Sequence, residues 1–451
     1  MLNINPKHIL FLVLIIIINL HFSCSKNTST KNDSIGMFLK TSNHTNNYLS
    51  SPIDTKPSVL WKFKTNAEVI SSAVIVNNVL YIGSNDNNMY AINANNGNLI
   101  WKFKTKGKIP STPLVANNKV MFLSYDGFFY ALNANNGKLV WKFKTLGEET
   151  FKVKDYFNGK FKPDFWDFYL SSATTKGNNV YFGSSDKHIY ALDIETGKLN
   201  WKTKVDGSVH TSPALKNNIL VVADWESNIY ALNANEGNEV WKFTTGKDTA
   251  QYIWHGVQAS PSISENNVFI GSRDAKFYSL NIQTGEAIWV QNNFNKSWMP
   301  SSAAISKDNI YTGSSDSFAF FALQKETGEI KYKTKTNSYA FSSPAIDSTM
   351  AYIGAANGIL YGIELKNGNI KWEYETNGRK TDTLNIYNKS GVIEIEKLKT
   401  YLKGIDNMPK LTEKYTEWFK STGAILSSPT IYNNTIYFGS NDGYIYALKQ
   451  L

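Results

Sequence analysis

Six aspartates recur at one place in a repeated pattern: Asp86, Asp126, Asp186, Asp274, Asp316 and Asp442. Carboxylates in such number could build metal sites. A residue copied from unit to unit at the same turn instead reads as a turn former that bonds its own backbone, and no metal site is assigned. Chemistry is expected where the repetition breaks. His210 and Gln258 stand where other units carry Ile70, Pro110, Leu170, Pro300, Phe341 or Leu426. Asp224, Trp225 and Glu226 replace the usual Gly-Ser-x-Asp, and His255 and Arg273 fall nearby in the next unit. A small ligand, a peptide or a protein surface could use such a cluster; solvation of a channel mouth and sequence drift would leave the same pattern. No nucleotide loop, zinc spacing or Ser-His-Asp arrangement is recognisable by motif, and no catalytic residue is assigned.

Composition narrows the classes. The chain has 451 residues, a formal charge of +10 and 14% aromatics. Its lysines concentrate in Trp-Lys-Phe-Lys segments: Lys62, Lys64, Lys102, Lys104, Lys142, Lys144, Lys202 and Lys204. Alternate residues of a strand face opposite sides, so the rings turn inward and the lysines to water. Charges spread around a perimeter guard strand edges and do not make a nucleic-acid groove.

The N-terminus reads as a targeting segment. Lys7 and His8 precede an apolar run from Ile9 to Ile18, which is shorter than the ~20 residues of a membrane span. The single cysteine, Cys24, follows directly, so no intrachain disulfide can form. With Ser23 before it, Cys24 resembles a lipoprotein lipidation site, although His21 stands where an aliphatic residue is usual. Residues 1–23 are thus expected to be a lipoprotein signal peptide. Residues 24–58, polar and without periodicity, are expected to be a flexible tether, and lipid on Cys24 would anchor the chain to a membrane.

From residue 59 to 451 one unit recurs. Its outer-strand aromatics are Trp61, Trp101, Trp141, Trp201, Trp241, Trp289, Tyr332 and Trp372, at a basic spacing of about 40 residues. Every segment alternates with period two, so each unit reads as four strands. Eight Ser-Ser-Pro-like starts occur, but the last unit lacks its Trp strand, and an unattached "VLWKFKT" stands before the first. An all-β, eight-bladed propeller of four-stranded antiparallel blades is expected, with the N-terminal strand completing the last blade. Three inserts interrupt it, at 146–169, 246–256 and 377–423. All follow a Trp strand, so all should decorate one face. The third contains "VIEIEKLKTYLKGI", readable as a short helix, and "TEWFKSTGA", in which Trp418 could replace Trp372 as the outer-strand ring. The expected interaction face comprises Trp166, His210, Asp224, Trp225, Glu226, Trp254, His255, Gln258 and Arg273.

The motif Y-A-L-N/D-x-x-x-G-x-x-x-W-x-F resembles the tryptophan docking motif of PQQ-like propeller repeats. Together with the lipoprotein signal and eight units, it is most similar to the lipoproteins of outer-membrane β-barrel assembly. The resemblance implies a non-catalytic scaffold without cofactor, in the envelope of a Gram-negative bacterium. It would be an outer-membrane lipoprotein facing the periplasm, with protein partners in barrel assembly. Quinoprotein dehydrogenases share the motif and imply an alternative that depends on PQQ and Ca²⁺. They typically add a vicinal cysteine pair, which one cysteine cannot supply. A glycan- or peptide-binding surface lipoprotein is a further alternative.

Overall fold

The repeat folds as eight four-stranded antiparallel sheets. A computed structural model describes residues 35–48, 50–155, 157–246 and 255–450; Cys24, the expected lipidation site, the expected signal segment and Trp254 lie outside them. The first blade shows why the sequence makes this unit. Its strands are Val74–Val76, Val79–Gly83, Asn88–Asn93 and Leu99–Lys104. Asn77 and Asn78 between the first two adopt φ of 52° and 62°, the left-handed pair that a two-residue hairpin requires and asparagine tolerates. The outer strand is bulged, because Trp101 pairs with Ala91 while Leu99 pairs with Ile92. The extra residue re-aims the strand, so the Trp101 ring turns into the gap between blades.

Each outer-strand ring docks on the next blade. The Trp61 indole N–H donates to the Ala94 carbonyl at 2.8 Å, and Trp101 repeats the bond to Ala134 at 2.8 Å. Tyr332 does so with its hydroxyl, to Leu365 at 2.8 Å. Beneath every ring except Trp372 the turn glycine is forced. Gly97 sits at φ 76°, and a Cβ there would lie 2.8 Å from the Trp61 ring.

Ring closure follows the expected route. Ser58–Lys64 pairs with Tyr444–Lys449, Trp61 opposite Ala447, as the outer strand of the last blade. Trp372 docks on the carbonyl of Ile53 at 2.7 Å, so the chain just before this strand supplies the acceptor that a complete last blade would have provided. Trp372 lies in the outer strand Ile370–Glu375, whereas Trp418 is helical; the alternative placement of Trp418 does not hold.

The Ser-Ser-Pro starts also have a physical reason. The second position of each start is hydroxylated and accepts the backbone N–H of its counterpart one blade back. The bonds run from Ser72 to Thr112, Ser172, Ser212, Ser260, Ser302, Ser343, Ser428 and back to Ser72, at 2.8–3.1 Å. The axis is thus lined by a closed eight-membered ring of inter-blade hydrogen bonds.

The described part of the segment expected as a tether, residues 35–58, is packed instead. Residues 35–48 cross the end of the axis at the Asn-Asn turns. Gly36 exchanges two bonds with Val115, and the carbonyls of Ser42, Asn43, Thr45 and Asn46 accept from Leu215, Ile263, Ile305 and Ile346 at 2.6–3.0 Å. These partners sit on the innermost strands, whose free edges need covering. Leu39 and Ile53 are buried. Buried His44 bonds the Pro261 carbonyl at 2.9 Å, and burial pushes its pKa down to about 4. Low hydrophobicity suggested a free linker, but this segment binds mainly through backbone and amide groups, which composition does not reveal.

Candidate functional site

The described extra material gathers at the other end of the axis, as the strand order requires. The first insert carries a small hairpin, Lys152–Lys154 with Phe161–Pro163. The third forms three helices: α1 (Asn377–Lys380), α2 (Ile395–Tyr401) and α3 (Met408–Ser421). Asn407 caps α3 by accepting from the Lys410 N–H at 3.0 Å, and Pro409 follows in the first turn. α3 turns Trp418 and Phe419 inward, onto a second core that includes Phe151, Trp166, Tyr339, Phe341 and Leu426. This lid closes most of the axis. Tyr169 reaches across to the Leu426 carbonyl at 2.8 Å, and the axial channel beneath retains about 30 Å³.

The repeated aspartates act structurally. Asp86 accepts from its own turn at Asn88 N–H (3.0 Å), from the Tyr90 hydroxyl (2.6 Å) and from the Asn66 N–H (3.0 Å), which follows the preceding blade's outer strand. Asp126 and Asp186 repeat the staple. Asp316 has Phe320 in place of the tyrosine. Asp224 performs the same task from two residues earlier, accepting from Tyr230 at 3.0 Å and Gly207 at 2.9 Å.

The residue just before the repeated aspartate, or before Glu226 and Asn357 where the aspartate is replaced, varies from blade to blade and faces the axis. In five blades it is Ser185, Trp225, Arg273, Ser315 or Ala356, and the lid covers these blades. Arg273 is the clearest case. It donates to Asp164 of the first insert at 2.5 Å, both side chains fully buried, and its guanidinium lies 4.3 Å from the Trp225 ring and 4.6 Å from the Trp298 ring. Arg273 also reaches Gln258 at 3.4 Å, while the Gln258 amide donates to the Trp166 carbonyl at 2.7 Å. Burial pushes the Asp164 carboxyl above its ordinary value, against the pull of Arg273.

His210 is the second clamp. Its Nδ1 is 2.8 Å from Asp167 and its Nε2 2.7 Å from Ser185 Oγ. A carboxylate can only accept hydrogen bonds, so Nδ1–H donates to Asp167 and the nearby Trp225 indole cannot donate to that nitrogen. Burial alone would lower the His210 pKa, but Asp167 and Glu148 outweigh it and hold the value above ordinary. Ser185, His210 and Asp167 have the order of a nucleophilic triad. They do not serve as one, because Glu148 sits on Ser185, 2.8 Å from Oγ and 2.9 Å from its N–H. That carboxylate takes the space a substrate carbonyl would need.

The expected interaction residues are therefore mostly internal. Trp166, His210, Asp224, Trp225 and Arg273 are buried; all but Asp224, which staples its own turn, seat the lid. Glu226 and His255 are more open and lie 3.4 Å apart. The clustering was legible, but the other half of each clamp was not: Glu148, Asp164 and Asp167 from the first insert, with Ser185. A usable signal exists in "PDFWDF", where two carboxylates among aromatic rings need buried partners.

The carboxylates of this cluster are not free to hold a Ca²⁺ ion. Asp164 and Asp167 are committed to Arg273 and His210. No group of three or more His, Cys, Asp or Glu among the described residues is placed to hold a metal.

Eight blades, docking tryptophans and Gly-capped turns define a PQQ-like propeller. The chain belongs to the family described as outer membrane protein assembly factor BamB, matched over residues 53–155, 165–297 and 291–393. Over 75 residues it is 40% identical to tetrathionate hydrolase of Acidithiobacillus ferrooxidans, spanning 17% of this chain and 14% of that one. Over 86 residues it is 29% identical to BamB of Yersinia pestis, spanning 19% and 21%. Among solved structures, BamB of Moraxella catarrhalis aligns with a TM-score of 0.63 at 15% identity, over 87% of this chain and all of that one. A europium-containing methanol dehydrogenase aligns at 0.65 and 12% identity, over 92% and 98%. At these identities the structural likeness is one of fold.

Proposed function

We propose that the protein is a non-catalytic scaffold of outer-membrane β-barrel assembly. It would be held to the membrane by lipid on Cys24 and face the periplasm of a Gram-negative bacterium. The observation that carries this reading is how the decorated face uses its apolar residues. Its clamps and most rings are spent on holding the inserts rigid. Leu146, Phe157 and Phe161 of the first insert remain outward, at 71%, 47% and 65% exposure. Large apolar side chains on a pre-organised element are what a protein interface needs as anchors. Family membership points the same way, and the committed buried carboxylates favour a structural face over an enzymatic one. Affinity capture of the full-length protein from detergent-solubilised envelopes tests the reading. A barrel-assembly component should be recovered with it and lost with Phe161→Ala and Leu146→Ala together. Recovery of no such component refutes it.

A further inference from the structure

The axis-facing position before the repeated aspartate divides the ring in two. Five blades use it under the lid. The other three present Asn441, Asn85 and Tyr125 to a cavity of about 540 Å³ between the first insert, α3 and the turns of the last, first and second blades. Only the last and first blades read Gly-Ser-Asn-Asp, at 439–442 and 83–86. The amide oxygens of Asn85 and Asn441 have no hydrogen-bond partner, although buried polar groups are nearly always bonded. One wall is aromatic: Phe165 and Tyr415 lie 5.0 Å apart, tilted 30°. Glu68 and Lys108 also line the cavity.

We propose that this cavity binds a neutral saccharide, one or two rings of a glycan. A pyranose has an apolar C–H face and a rim of hydroxyls that both donate and accept. An aromatic wall opposite planar amides, a carboxylate and an ammonium matches both features. The volume falls within the ~300–1,000 Å³ of small-ligand sites. Little unpaired charge lines the cavity, since Asp164 and Asp167 are matched by Arg273 and His210, and Glu68 offsets one of the two solvent-exposed lysines, Lys106 and Lys108. The walls are turns, a helix and the insert, whose strand meets the cavity at Pro163, a residue with no N–H to offer a peptide backbone. The site is separate from the outward anchors proposed for a protein partner, and either can fail without the other.

The test is titration calorimetry with ligand-observed NMR on the full-length protein in a non-glycosidic detergent. The probes are maltotriose, cellotriose, triacetylchitotriose and, as the competing class, trialanine. At least one sugar should bind with a Kd below about 5 mM. Asn85→Ala with Asn441→Ala should weaken it at least tenfold. The same pair should leave Tm unchanged or raised, because removing unpartnered oxygens takes away no bond. Should the pair fail to fold, Asn85→Ala alone is read in the same way. The proposal is overturned if no sugar reaches that affinity, if trialanine binds more tightly than all three, if the variant binds equally, or if its Tm falls.

Discussion

Arg273→Met isolates the clamp between insert and ring. The substitution keeps an unbranched side chain between Trp225 and Trp298 but removes the charge facing Asp164. That carboxylate is fully buried and also accepts from the Trp166 N–H at 2.9 Å. Breaking a buried pair from one side costs about 3–5 kcal/mol. The loss falls on docking of the first insert, which Asp164 anchors, more than on the ring. At 1.4 kcal/mol per decade, the open population of the insert should rise about 140- to 3,700-fold. Hydrogen exchange reads this at the amides of Phe151, Asp164 and Trp166, which are bonded within the insert at 2.7–2.9 Å. Asp164→Leu in the same background should restore most of the protection, since an apolar pair leaves no uncompensated charge. Acceleration below about fivefold, or no rescue, would refute the clamp.

Three further outcomes are expected. Trp61→Ala removes a buried ring and its bond to Ala94 and should lower stability to urea by about 3–5 kcal/mol; an unchanged midpoint would deny closure by the N-terminal strand. His210 and Glu148 both have folded pKa values above their ordinary 6.5 and 4.5, so the folded insert holds protons that the unfolded chain releases. Their stabilisation is complete below those ordinary values and is lost as pH rises through the folded ones; Trp166 fluorescence should report a lower urea midpoint at pH 8.5 than at pH 6, and His210→Gln should flatten the difference. Deleting residues 35–57 uncovers the innermost strand edges and strands the Trp372 indole, which alone is worth about 1–3 kcal/mol; a lower Tm by calorimetry is expected.

The wheel was readable because packing forces repetition. Every Trp61-like ring except Trp372 needs a Gly97-like turn beneath it, and both recur at fixed spacing. The missing final Trp strand and the spare "VLWKFKT" at the start solved each other. The lid was readable in position but not in content. Its helices depend on tertiary support: α2 buries no residue completely, and only Trp418, Phe419 and Met408 of α3 do so. The polar exceptions His210 and Arg273 were visible as departures from a pattern. Their meaning lay in Asp167 and Asp164, which are far away in sequence and have no repeat to depart from. The crossing of the axis by residues 35–48 escaped for the same reason, because its contacts run through backbone carbonyls that any side chain could precede.

Site-specific photocrosslinking in intact cells tests the central functional claim most directly. Probes belong at Phe161 and Glu413 on the insert face, and at Asn96 and Asn136 on the turns of the opposite face. Adducts between the insert-face probes and an outer-membrane assembly protein, with none from the opposite face, are the expected result. Adducts to such a protein from Asn96 and Asn136 alone, or from no position, would contradict it.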